Sequence, residues 1–220
     1  MSTTEPTGFL YPFIEEDEKE KNGNDLLADL AASARTKAAE SLRLCQETLS
    51  SQRQQIELAA AEMAARFAAG GRLFTFGNGG SATDAALLAE MFSAPSFGNP
   101  LPARSLADDQ AVVTALGNDI GFELVFRRQL IAFAKNGDVA VGLSTSGNSD
   151  NLLAAFAEAR RRGLLTIGLA GYDGGSMATS DDVDMCIVVA SESIHRIQEA
   201  QDAVCFEIWK TVQKLLSTEE

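Results

Sequence analysis

The run Val139-Ala140-Val141-Gly142-Leu143 passes without a break into Ser144-Thr145-Ser146-Gly147-Asn148-Ser149, and this junction limits what the chain can fold into. Small and β-branched residues between Gly137 and a polar loop suit a short parallel strand buried on both faces. Over residues 150–162, Leu152, Leu153, Phe156 and Ala159 then recur at helical spacing. Ser144, Thr145, Ser146 and Ser149 therefore stand at the carboxyl end of a strand and at the mouth of a helix, where free N–H groups and the helix dipole favour an anion. The same residue types also make ordinary caps and turns. The loop carries no lysine, so it is not a Walker A sequence. Taken by itself it leaves a phosphate cradle and a plain helix cap as equal alternatives.

The pattern occurs a second time. Arg72-Leu73-Phe74-Thr75-Phe76 is a strand running into Gly77-Asn78-Gly79-Gly80-Ser81, and a helix is expected over residues 82–92 with Ser81 as its cap and its hydroxyl free to donate. Further strands are expected at residues 102–106, 164–169 and 183–189, and further helices at 108–116, 122–135 and 194–216. Gly117-Asn118-Asp119-Ile120-Gly121 is expected to be a tight polar turn, which makes Asp119 a candidate pocket wall. Strands alternating with helices give an α/β class: a doubly wound parallel sheet flanked by helices, with right-handed crossovers. Two polar loops at the carboxyl ends of parallel strands can face one crevice.

Ahead of this lies a helical extension. Residues 25–69 contain neither Pro nor Gly and are rich in Ala, Leu, Glu, Arg and Gln. Leu26, Leu27, Leu30, Ala34, Ala38, Leu42 and Leu49 fall near one stripe, and Ile56, Ala60, Met63 and Phe67 near another, with a break expected at Ser50-Ser51. An Ala-rich amphipathic pair of this kind suits packing against a copy of itself. Residues 1–24 are expected to be an acidic flexible tail. Its apolar segment Gly8-Phe9-Leu10-Tyr11-Pro12-Phe13-Ile14 either docks on the protein's own surface or contacts a protein partner. Residues 25–220 are expected to form one domain.

Charge and composition remove other classes. A formal charge of −13 opposes wrapping of nucleic acid, whose phosphates would be repelled. No window approaches the roughly 20 apolar residues of a membrane span, and the amino terminus lacks the basic and apolar regions of a secretory signal. Cys45, Cys186 and Cys205 are odd in number and widely spaced, which fits reduced thiols in a cytoplasm.

Five motifs in order carry a resemblance: Gly77-Asn78-Gly79-Gly80-Ser81, Gly117-Asn118-Asp119, Leu143-Ser144-Thr145-Ser146-Gly147-Asn148-Ser149, Gly171-Tyr172-Asp173-Gly174-Gly175 and Arg196-Ile197-Gln198-Glu199. From about residue 25 onward the chain resembles the phosphoheptose isomerase branch of the sugar isomerase (SIS) domain proteins. The resemblance implies a bacterial source and a homotetramer that binds a sugar phosphate, typically sedoheptulose 7-phosphate, in pockets between subunits. It implies that Ser144, Thr145, Ser146 and Ser149 hold the phosphate, that Asn78 and Ser81 meet the sugar, and that Asp119 and Gln198 complete a polar wall.

The same resemblance marks a departure. In those isomerases the helix after the first glycine loop carries His and, four residues on, Glu, and the last helix carries Gln and, eight residues on, His. These residues bind zinc and move a proton between C1 and C2 of the sugar. Here the positions hold Leu87, Met91, Gln198 and Phe206. Zinc needs N, S or carboxylate ligands, so neither a metal nor another cofactor is expected. His195 is the candidate catalytic residue that remains. Glu90, one residue off the lost Glu position, is rotated by about 100° around its helix and is expected to face elsewhere. Asp84 and Glu199 are expected to be salt-bridge or capping groups, and Asp173 to shape its own turn. Two functions follow: an aldose-ketose isomerase with a rearranged acid/base pair, or a non-catalytic phosphosugar sensor or scaffold acting through protein contacts. A dinucleotide site is set aside, because the first glycine loop does not fit Gly-x-Gly-x-x-Gly.

Overall fold

The computed structural model describes residues 23–217. The tail, including the apolar segment from Gly8 to Ile14, lies outside the described residues. Helix α1 (Gly23–Ser51) is followed at Gln52 by α2 (Arg53–Ala68), so the break expected at Ser50-Ser51 falls one residue later. The chain divides into two units, residues 1–40 and residues 41–220. In the first, the described residues are the amino-terminal part of α1, on which Leu26, Leu27 and Leu30 are exposed.

The second unit is built on a five-stranded sheet of β1 (Leu73–Gly77), β2 (Ala103–Ser105), β3 (Val139–Ser144), β4 (Leu165–Gly171) and β5 (Met185–Val189). The strand order is β2-β1-β3-β4-β5 and every pair is parallel. Between the strands run α3 (Gly80–Ser93), α4 (Gln110–Asp119), a short 3-10 turn, α5 (Val125–Phe133), α6 (Asp150–Arg161) and α7 (Gly175–Thr179), and α8 (Ile194–Ser217) closes the chain.

Period-2 alternation sorts the strand side chains onto two faces. Leu73, Val139, Val141, Leu143, Ile167 and Ile187 meet α2, α3 and α8 in one core, which also buries the predicted stripe of Ile56, Ala60, Met63 and Phe67. Phe74, Phe76 and Ala140 meet α5 and α6 in a second core through Phe126, Leu130, Leu152 and Phe156. Gly142 permits this packing, since a Cβ there would stand 2.6 Å from the ring of Phe156 and 2.7 Å from that of Phe76. The helices therefore cover both faces, as the doubly wound reading expects. On α1 the buried side after residue 40 runs through Leu44 and Thr48, while Leu42 is exposed and so is not part of the inward stripe.

Strand β1 continues to β2 through α3 on one face, and β3 continues to β4 through α6 on the other. The chain thus winds away in opposite directions from β1 and β3, which are neighbours, and a crevice opens between their carboxyl ends. Among the described residues no helix is long and apolar enough to cross a membrane.

Candidate functional site

The loops after β1 and β3 meet at that crevice. Asn78, Ser81, Leu143, Ser144, Thr145, Ser146 and Ser149 line a cavity of about 90 Å³. Six of these seven are residues the sequence singles out as ligand contacts. Ser144 Oγ lies 3.3 Å from Ser149 Oγ and 3.5 Å from Ser146 Oγ, so three hydroxyls converge on one point. Ser149 is the N-cap of α6, yet its side chain makes no capping bond. Ser149 therefore caps α6 without its hydroxyl, which faces the cavity.

The cradle is braced from behind. The N–H of Gly147 donates to Ser144 Oγ at 3.1 Å and that of Asn148 to Ser146 Oγ at 3.2 Å. Gly147 adopts φ +66°, and a Cβ there would overlap the carbonyl oxygen of Gly174. The N–H of Gly171 donates to Thr145 O at 3.0 Å and that of Met177 to Gly147 O at 2.9 Å, so β4 and α7 hold the loop's shape. The Asn148 side chain donates to Ser146 O and accepts from the N–H and the hydroxyl of Ser176, both at 2.8 Å. Asp173 shapes its own turn, as expected, by accepting from the N–H of Gly175 at 3.1 Å.

Ser81 differs from its expected role. The N-cap of α3 is Gly79, at φ +56°, and Ser81 lies within the helix, buried and facing the cavity. With no side chain to clash, glycine can take the φ the turn needs, and the serine is displaced from cap to cavity wall. Asn78 pairs with Asn151 on α6: each amide donates to the other, at 2.9 and 2.8 Å. Gln201 on α8 is fully buried and extends Nε2 to Ser144 O at 3.5 Å, and among the described residues its Oε1 has no partner. Nothing in the local sequence sets Asn151 or Gln201 apart.

The remaining candidates stand elsewhere. Asp119 belongs to the last turn of α4 rather than to a free turn; it is exposed, and Asn118 Nδ2 donates to it at 2.7 Å. His195 is exposed in the first turn of α8 and is not among the cradle-lining residues. Gln198, one turn further on, reaches across to α3 and donates from Nε2 to Asp84 Oδ2 at 3.4 Å.

Asp84 is therefore neither a cap nor an ion-pair partner among the described residues. Burial and the nearby charge of Asp202 push its carboxyl up to about 6, against the opposing effect of the Gln198 hydrogen bond. Asp202 is also raised, by burial first and then by Glu199. Glu199 behaves as expected of a paired group. It accepts from Ser41 and from Arg196 and is held below the usual carboxylate range, with the Ser41 bond the first cause.

Beyond the acidic pair, Leu87, Glu90, Met91, Phe206 and Trp209 line a second cavity of about 250 Å³. Glu90 stands on its rim, exposed, rather than facing away. Phe97 and Phe206 pack on Trp209 with ring centroids 4.5 and 5.5 Å away. The zinc that the family likeness implies does not fit this donor set. Leu87 and Phe206 offer no donor atom, Met91 offers only a thioether, and Gln198 a single amide.

A cradle of hydroxyls at the switch point of a parallel α/β sheet defines a class, and comparison with known proteins agrees with it. The SIS domain family matches residues 38–171, and the chain belongs to that family. Within it the chain lies on the phosphoheptose isomerase branch. It is 46% identical over 163 residues to the phosphoheptose isomerase of Geobacter sulfurreducens, covering 71% of this chain and 83% of that one. With the phosphoheptose isomerase of Roseiflexus sp. it shares 37% identity over 181 residues, 81% of this chain and 91% of the relative. The solved structure of phosphoheptose isomerase GmhA from Neisseria gonorrhoeae superposes with a TM-score of 0.78 at 34% identity, covering 84% of this chain and 99% of that one.

Proposed function

We propose that this chain binds a sugar phosphate, sedoheptulose 7-phosphate or a close analogue, with its phosphate in the cradle of Ser144, Thr145, Ser146 and Ser149. The observation that carries the reading is the convergence of three serine hydroxyls on one cavity, with Ser149 uncommitted to its own helix. Hydroxyls and the amino end of α6 satisfy a phosphate without a lysine. The sugar then extends past Asn78 and Ser81 towards Gln198. Homologues named phosphoheptose isomerase support the substrate class. The residues at Leu87, Met91 and Phe206 argue that any turnover proceeds without zinc.

The bound form is taken to be a homo-oligomer, with a tetramer as the family-based expectation. Exposed Leu26, Leu27, Leu30 and Leu42 on α1 support self-association, since a stripe of leucines in water is a liability. The three free thiols suit a cytoplasmic setting. The binding reading is tested by thermal unfolding with a panel of sugar phosphates. At a ligand concentration near 100 times Kd, stabilisation of about 2.7 kcal/mol is expected. That corresponds to a rise in Tm of about 5–10 °C for a chain of this size. No shift with any phosphorylated aldose or ketose contradicts it.

A further inference from the structure

Helices α3 and α8 run side by side in the same sense, with Gly80 beside Gln198 at one end and Met91 beside Phe206 and Trp209 at the other. On α3 the residues in order are Ser81, which lines the cradle, then Asp84, then Leu87 and Met91, which line the apolar cavity. On α8 the steps of four carry Gln198, Asp202 and Phe206 along one face. Gln198 spans the helices to bond Asp84 at 3.4 Å. Asp84 and Asp202 thus stand along the two helices between Ser81, which lines the hydroxyl cradle, and Leu87, Met91 and Phe206, which line the apolar cavity.

The pair is poorly satisfied. Among the described residues, the buried Asp202 Oδ1 has no hydrogen-bond partner. Among the described residues neither carboxylate has an ion-pair partner, and no group of three or more His, Cys, Asp and Glu could hold a metal. The groups that act on the pair are Glu199 and the Cys205 thiol on α8 and the Cys45 thiol on α1, and Glu199 is itself paired with Arg196 and lies near His195. Burial and neighbouring carboxylate charge together favour a proton on the pair.

We propose that Asp84 and Asp202 are the acid–base pair of a metal-independent proton transfer between adjacent carbons of the bound sugar phosphate. This rests on the sugar-phosphate reading above. Asp202, as carboxylate, takes the proton from the hydroxyl-bearing carbon beside the carbonyl, while Asp84, protonated, gives its proton to the carbonyl oxygen. The C–H electron pair becomes the double bond of an enediol. Asp84 then takes the proton of the other hydroxyl as the new carbonyl forms, and Asp202 returns its proton to the former carbonyl carbon. No oxidant is needed, and both carboxyls end as they began.

The test follows carbon-bound hydrogen in heavy water. Wild type, Asp84→Asn and Asp202→Asn, all stripped with chelator, are incubated with sedoheptulose 7-phosphate, and deuterium entering C1 is read by proton NMR alongside ligand-induced Tm shifts. The wild type should exchange, and each Asn variant should lose exchange by roughly 10²- to 10⁴-fold while keeping its ligand-induced shift. Asp202→Glu, which keeps a base, should recover part of the rate. Full exchange in either Asn variant, exchange lost on chelation, or a wild type that is stabilised by the ligand yet never exchanges overturns the proposal and leaves the binding reading intact. A wild type that is neither stabilised nor active overturns both.

Discussion

Asn78 and Asn151 donate to each other's amide oxygens at 2.9 and 2.8 Å, joining the loop after β1 to the first turn of α6 across the crevice. This reciprocal pair ties together the two loops that form the cradle, and Asn151 is buried. Asn151→Ala leaves Asn78 with both functions unmet. A buried polar group left without its partner costs about 1–3 kcal/mol, and a fall in Tm of that order is expected in calorimetry. Affinity for the sugar phosphate should drop as well, because one wall of the cavity is then free to move.

Of the three converging serines, Ser146 is the exposed one. Ser146→Ala should leave the fold intact and weaken ligand binding by about 10- to 100-fold, as expected for loss of one hydrogen bond to a charged group. Titration calorimetry measures this directly. An unchanged Kd would place the phosphate elsewhere.

Gly147 holds the turn of the cradle at φ +66° against the backbone of Gly174. Gly147→Ala therefore meets both an unfavourable backbone region and a rigid carbonyl. Strain and overlap together should cost about 2–4 kcal/mol, seen as a lower midpoint in urea unfolding. Gly79→Ala, where φ is +56° but a Cβ meets nothing, should cost less.

The acidic pair fixes the sign of a pH effect. The Asp84 carboxyl is raised to about 6 by burial and by Asp202. The folded chain therefore holds an extra proton between the ordinary carboxylate value and about 6. Stability from this group is lost as pH rises through that window, and the penalty is complete above it. Asp84→Asn should therefore raise Tm relative to wild type at pH 8 and not at pH 4. Equal Tm differences at both values would remove the electrostatic account.

Much of the architecture is legible in the order of residues alone. The runs from Leu73 and from Val139 are strands because two-faced burial selects apolar residues at nearly every position, and the glycine and hydroxyl loops that end them mark where strand gives way to helix. The grouping of the hydroxyls is legible for the same reason, since Ser144 to Ser149 is local in sequence. What stays hidden depends on approach across the fold. Asn78 meets Asn151 from 73 positions away, and Gln198 meets Asp84 from 114. Nothing in either helix alone sets Asp84 apart from a surface carboxylate; only the packing of α8 against α3 removes its water. Ser81 misleads for a subtler reason, because a serine after a glycine pair has the composition of a cap, and the backbone gives that place to Gly79.

Under the proposed function the three converging serines hold a phosphate. The direct measurement is phosphorus NMR of sedoheptulose 7-phosphate titrated with wild type and with Ser146→Ala at matched concentrations. A saturable shift and broadening of the phosphate resonance with the wild type, reduced to near baseline in the variant, is the expected result. An unperturbed resonance with the folded wild type, or one equally perturbed by both proteins, would contradict it.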